Sequence, residues 1–205
     1  MPLTGEEIQA LGSSGSERAK RWLEATCRAQ VKWNNPGGHI QKLQFSKAGA
    51  PPGSTSPGDF FSMDLGGTLM GGATDGDMFI AEVKHYSGSG DQGAAYRSFL
   101  AKCYRIESEQ PQMYEHYLWI TWAPFLVARW KDLLTSDFIS TAVEADEESR
   151  RIALGSKSLL PATVATVSDK LMIVVLSDRQ EVFLSLHGDE LLGVQQALLD
   201  LRGNK

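Results

Sequence analysis

Cysteine is scarce: Cys27 and Cys103 are the only two in 205 residues. Neither has a partner at metal-ligand spacing, which excludes a disulfide framework and a cysteine zinc site. Two free thiols fit a reducing, cytoplasmic setting. Histidine is scarce too. The four, His39, His85, His116 and His187, are dispersed with no HExxH or His-x-His pair, so a zinc hydrolase is not expected. No apolar run is long enough to span a bilayer, and the opening segment MPLTGEEIQALGSSGSERAK has no apolar core of a secretory signal. No membrane partner is expected. Positive charge is not in excess: 20 Lys and Arg stand against 25 Asp and Glu, for a net charge of −5. That balance excludes a protein that coats nucleic acid by bulk charge. There is no Gly-x-Ser-x-Gly, Walker-type loop or dinucleotide fingerprint.

What is present centres on Phe79–Ser87 (FIAEVKHYS). It reads as a short buried strand. Period two puts Glu82 and Lys84 on one face and Ala81 and Val83 on the other. A carboxylate and an ammonium at the exit of an apolar strand are costly to bury without partners. A divalent metal ion and a phosphate would supply both. Upstream, Ser56–Asp64 (SPGDFFSMD) reads as a strand opened by an acid. Gly66-Gly67 then offers a turn, and Gly71–Asp77 (GGATDGD) a second connection. Folded as neighbours, these strands bring Asp59 to Glu82. Hard oxygen ligands from one or two carboxylates suit Mg²⁺ (or Mn²⁺), with water and phosphate oxygens completing the shell.

Pro57-(Gly58)-Asp59, followed after a hairpin-sized gap by Glu82-x-Lys84, resembles the PD-(D/E)xK nuclease superfamily over roughly Ser13 to Phe125. The inserted glycine departs from the family pattern and leaves two candidates for the metal-binding acid, Asp59 and Asp64. Asp59 is preferred because the hydrophobic pair Phe60-Phe61 follows it, whereas Asp64 falls near the expected turn. Gln92-Gly-Ala-Ala-Tyr96, at the start of the next helix, has the spacing of the RecB-like Gln-xxx-Tyr motif. Residues four apart share a helix face, so both side chains are expected to point back at the site.

The resemblance implies a restriction-endonuclease-like α/β/α sandwich with a central mixed sheet. It implies a nuclease hydrolysing phosphodiester bonds of nucleic acid, DNA before RNA. Asp59, Glu82 and the Val83 carbonyl would be metal ligands, and Lys84 would aid the attacking water. Gln92 and Tyr96 would orient phosphate or Lys84, and Glu17 would be a further acid from the first helix. One alternative is a nuclease-fold module that binds nucleic acid or a protein partner without cleaving. Another is a hydrolase or binder of small phosphorylated molecules.

The length suits one core, read as a single domain over residues 1–205. Residues 1–12 read as a flexible lead-in, 13–145 as the nuclease core and 146–205 as an extension. Ser16 is a helix N-cap candidate, and Ala19, Trp22, Leu23 and Thr26 recur at helical spacing up to about Gln30. Arg18, Lys20, Arg21, Arg28 and Lys32 form a basic segment, with Lys42 and Lys47 soon after. Ile40–Phe45 and His116–Trp122 read as strands. Helices are expected after Gln92 and over roughly Leu126–Ala145. In the tail, Val164–Val167, Leu171–Leu176 and Glu181–Leu186 read as strands before a final helix, Leu191–Leu201. Leucines on that helix offer a homodimer contact, with packing on the domain's own sheet as the default.

Overall fold

Strand β5, Met78–Lys84, is the middle strand of a five-stranded sheet. The computed structural model describes residues 5–26, 28–35, 42–85 and 92–203. It orders the sheet β1-β4-β5-β6-β7, with β1 at Ala29–Asn34, β4 at Leu65–Leu69, β6 at His116–Thr121 and β7 at Leu171–Val175. β4 is antiparallel to both β1 and β5, while β5, β6 and β7 run parallel. The chain is thus a mixed α/β protein with a central mixed sheet. Among the described residues no helix is long and apolar enough to cross a membrane.

The period-two expectation for β5 holds. Phe79, Ala81 and Val83 meet Ala19 and Leu23 of α1 (Gly5–Ala25), together with Leu65, Leu118 and Ile120. Ile80 faces the opposite side, into a larger cluster shared with four helices. These are α2 (Gln92–Glu109), α3 (Ser136–Val143), α4 (Glu147–Ala153) and α5 (Pro161–Lys170). Its centre is aromatic: Trp119 lies 5.2 Å from Tyr96, 5.4 Å from Phe99 and 5.7 Å from Phe125, between ring centroids. Buried rings at these separations add edge and tilted contacts to the burial of their large apolar area.

Several local expectations change. The Gly12–Ser16 stretch lies inside α1, not before it. Gly15 is there for close approach, since a Cβ would sit 2.7 Å from the His85 Cβ. α1 stops at Ala25, and β1 begins at Ala29, within the stretch expected as helix up to about Gln30. Cys27, residues 1–4 and the Ile40–Gln41 part of an expected strand lie outside the described residues. Gln44–Ser46 forms β2, which pairs with β3 (Phe60–Ser62) in a separate antiparallel pair. The preceding Pro57–Asp59 is a 3₁₀ turn, where proline's missing N–H costs nothing.

Gly66-Gly67 is no turn. Both lie within β4, and a Cβ on Gly67 would meet the Gln30 carbonyl oxygen at 2.0 Å. The turn is the later Gly71–Asp77 connection. The expected helix over Leu126–Ala145 divides into a 3₁₀ segment, Val127–Asp132, and α3, capped by Thr135.

In the tail, Val164–Val167 belongs to α5, opened by Pro161. Glu181 opens no strand either. It lies in α6 (Asp178–Phe183), where the Ser177 side chain caps the Gln180 N–H. Leu171–Val175 is the one tail segment expected as a strand that is a strand, and it extends the same sheet. The last helix, α7, runs Gly188–Gly203 with Leu192, Leu199 and Leu201 exposed.

Candidate functional site

The antiparallel register Gly66↔Ile80, Leu65↔Ala81 runs one step further to place Asp64 opposite Glu82. The Asp64 N–H donates to the Ala81 carbonyl at 2.9 Å, and Asp64 Oδ2 accepts from the Val83 N–H at 2.7 Å. Two acids 18 positions apart in sequence therefore meet at the end of the β4–β5 hairpin.

Glu82 is 5 % exposed and carries two ammonium partners. Lys84 Nζ donates to Oε1 at 2.8 Å and Lys102 Nζ, from α2, donates to Oε2 at 2.9 Å. Lys102 also donates to the Ser62 carbonyl at 3.1 Å. Burial alone would raise the Glu82 pKa, but Lys102 and then Lys84 outweigh it and hold the group below the usual carboxylate range. Asp64 goes the other way. Burial first, and the Glu82 charge second, push its pKa up to about 7. One acid is thus held ionised and the other sits near its titration point, a split typical of sites that bind charge or move protons.

Asp59 is not part of this arrangement. It sits on the 3₁₀ turn before β3, where it accepts from the Ser54 hydroxyl and pairs with Arg151 of α4. Arg151 Nη1 also donates to the Gly58 carbonyl at 3.0 Å. Where Asp59 was expected to meet Glu82, the structure brings Asp64 there instead: the hydrophobic pair Phe60-Phe61 serves the β2–β3 pair, while the β4–β5 register places Asp64 opposite Glu82.

Tyr96 is likewise displaced from the expected set. It is fully buried among Phe99, Trp119, Phe125 and Phe138, and its hydroxyl donates to the Leu133 carbonyl at 2.9 Å. Gln92 lies nearer the site. Its Oε1 accepts from the Thr121 hydroxyl at 2.9 Å, and Thr121 is the in-register neighbour of Lys84 across the β5–β6 ladder. Glu17 reaches the same end of the sheet from α1, where its carboxylate accepts from the Asn34 side chain; Asn34 is in register with Leu65. The Val83 N–H is used by Asp64, as above.

His85 faces α1, as expected for the opposite parity to Lys84. Its Nε2 is 2.7 Å from the Arg18 guanidinium, and its ring packs edge-on to Trp122 at 5.0 Å. Burial, then the Arg18 charge, lower its pKa, so the ring is neutral at pH 7. Part of the basic segment is also committed: Arg18 pairs with Glu181 and Asp178, and Lys47 with Glu148.

Lys102 was not anticipated. The available signal was its place on α2, three residues after Phe99 and four before Ile106, on the side facing the sheet.

Among the described residues no group of three or more His, Cys, Asp or Glu side chains is assembled that could hold a metal ion. The pair Asp64 and Glu82 still fits Mg²⁺, which takes one or two protein carboxylates and fills its shell with water and phosphate oxygens. The electrostatic conflict that raises the Asp64 pKa is one that a cation between the two acids would relieve.

No protein-family profile matches the sequence, and no curated protein matches it. Among solved structures, a Moraxella osloensis Cap4 SAVED/CARF-domain containing receptor is similar at 8% identity and a TM-score of 0.37. The likeness covers 94% of this chain and 38% of that one, so the chain spans well under half the receptor's length. A likeness at that TM-score carries no argument about function.

Proposed function

We propose that this chain is a metal-dependent phosphodiesterase acting on nucleic acid, DNA in the first instance, built on a restriction-endonuclease-like fold. The observation that carries the reading is the meeting of Asp64 and Glu82 beside Lys84 at the end of one hairpin. A mixed sheet flanked by helices on both faces supports the finer fold assignment, and with it the resemblance to the PD-(D/E)xK nucleases.

In this reading Asp64 and Glu82 would hold Mg²⁺ or Mn²⁺, with the Val83 carbonyl as a further ligand. The bound ion supplies Lewis-acid polarisation of a phosphoryl oxygen and an acidified water. Lys84, one quarter exposed at its side chain, is the ammonium that meets substrate: it holds the attacking water in line and offsets charge on the phosphate. Thr121, the neighbour of Lys84 across the β5–β6 ladder, holds the fully buried Gln92 at the start of α2, from where it would help orient Lys84. Asp59 and Tyr96 have no catalytic part, and Glu17 is an outer carboxylate.

The test is cleavage of supercoiled plasmid and linear duplex with and without Mg²⁺. Wild type should cut only with the metal. Glu82→Gln and Lys84→Ala should each lose ~100-fold or more, the scale of removing one preorganised charged group from an active site. A wild type that binds DNA without cutting it, or three proteins that cut equally, rejects the catalytic reading.

A further inference from the structure

Glu82 has one cation more than the Glu-x-Lys pattern requires, and the extra one is anchored. Lys102 reaches across from α2 to Glu82 Oε2 at 2.9 Å and is held a second time by the Ser62 carbonyl at 3.1 Å. Its side chain is 15% exposed, against 24% for Lys84. Ser62 ends β3, two residues before Asp64, so the same ammonium ties the helix to the segment that leads into the second acid.

With Asp64 ionised, the four charges Asp64, Glu82, Lys84 and Lys102 sum to zero. The pair of acids therefore offers a divalent ion no net negative charge, although a carboxylate retains lone pairs for it after accepting both ammonium groups.

Building on the metal-centre reading, we infer that Lys102 is a resident counter-cation for Glu82. It occupies the place of a metal's charge when no metal is bound, keeps the buried carboxylate aimed, and sets how much divalent ion is needed to load the site. Lys102 is a positioning residue, acting through Glu82, while Lys84 is the ammonium that meets substrate. A counter-ion of this kind has a distinctive consequence. Removing it must weaken the metal-free protein and at the same time strengthen the hold on the metal, because affinity at hard-cation sites rises with net ligand charge. A purely structural lysine would weaken both.

The experiment measures Mn²⁺ binding by calorimetry, and melting temperature in EDTA and in Mn²⁺, for wild type, Lys102→Met, Lys102→Gln and Lys102→Arg. Lys102→Gln keeps a donor for the Ser62 carbonyl and removes only the charge, so it stands in should the methionine variant fail to fold. The neutral variants should bind Mn²⁺ roughly tenfold more tightly, the order expected when one unit charge near the ion is removed in a partly buried site. Their melting temperature should fall in EDTA and recover towards wild type in Mn²⁺, and Lys102→Arg should restore wild-type affinity. Neutral variants that fold yet bind Mn²⁺ no tighter than wild type overturn the role given to Lys102. A wild type and variants that bind no Mn²⁺ overturn the metal centre itself, and with it this role, leaving Lys102 an ordinary buried ion-pair partner.

Discussion

Two aspartates five positions apart have opposite fates. Asp59 leads into β3 and is paired with Arg151 of α4, with the Ser54 hydroxyl donating to it from the preceding loop. Asp64 opens β4, lies opposite Glu82, and is driven towards its protonated form by burial and by that neighbouring charge. The first acid is held in place by a cation across a turn. The second is held against another acid by strand register. A carboxylate beside a cation keeps its charge, whereas one held against another acid has the shifted protonation equilibrium that functional sites use.

The largest difference between the two acids should appear when each is neutralised in turn. Asp64→Asn should reduce Mg²⁺-dependent DNA cleavage by ~100-fold or more, the scale for one lost charged group in a site. Asp59→Asn should stay within about threefold of wild type, because substitutions away from a site's critical groups have small effects. The reverse ranking in a plasmid-nicking assay would return the metal-ligand role to Asp59.

Next in size is the backbone that delivers Asp64. Gly67→Ala places a methyl where the Gln30 carbonyl already stands at 2.0 Å, so the β1–β4 ladder must part. A loss of roughly 3 kcal/mol is expected, at or above the usual range for overpacking, read as a fall in the urea midpoint. An unchanged midpoint would restore the reading of Gly66-Gly67 as a turn.

A smaller effect is set by pH. Unfolded Asp titrates near 3.9, and folded Asp64 at about 7. Below about pH 4 both states hold the proton and Asp64 imposes no penalty. As pH rises towards 7 the unfolded chain releases its proton first, so the native state loses stability across that window and levels off above it. The full shift of about three units corresponds to at most ~4 kcal/mol, with about 1–3 kcal/mol expected after relaxation. Asp64→Asn should therefore be more stable than wild type at pH 8 in metal-free buffer, with the advantage shrinking towards pH 4. Chemical denaturation at pH 4.5, 6 and 8 reads this, and an advantage that does not change with pH would contradict the environment assigned to Asp64.

Smallest is the Asp59 clamp. Arg151 is partly exposed, and its removal as Arg151→Ala should cost about 1 kcal/mol in the same denaturation experiment, the ceiling for an exposed ion pair. DNA cleavage should be unaffected.

Phe79–Lys84 was legible because alternation is local: each side chain's face follows from its neighbours, and Glu82 and Lys84 do share the α2 side. α2 and β6 were legible for the same reason, one from helical spacing and the other from its β-branched and aromatic run. Val164–Val167 and Glu181–Leu186 misled because short apolar runs carry no period. Pro161 and the Ser177 cap decided for helix in each case. Gln92–Tyr96 misled in half. The shared helix face is real, but Trp119 and Phe125 claimed the tyrosine, while Thr121 kept the glutamine at the end of β6.

That a carboxylate and an ammonium would emerge together from one buried strand is written locally in residues 79–84, since a two-residue repeat is a property of the backbone. Which second acid would join them, and that Lys102 would reach Glu82 from the overlying helix, came from the folded arrangement. Those choices depend on how β4 slides against β5 and how α2 lies across the sheet, and such contacts between distant segments are fixed by packing of the whole core, not by any local pattern of residues.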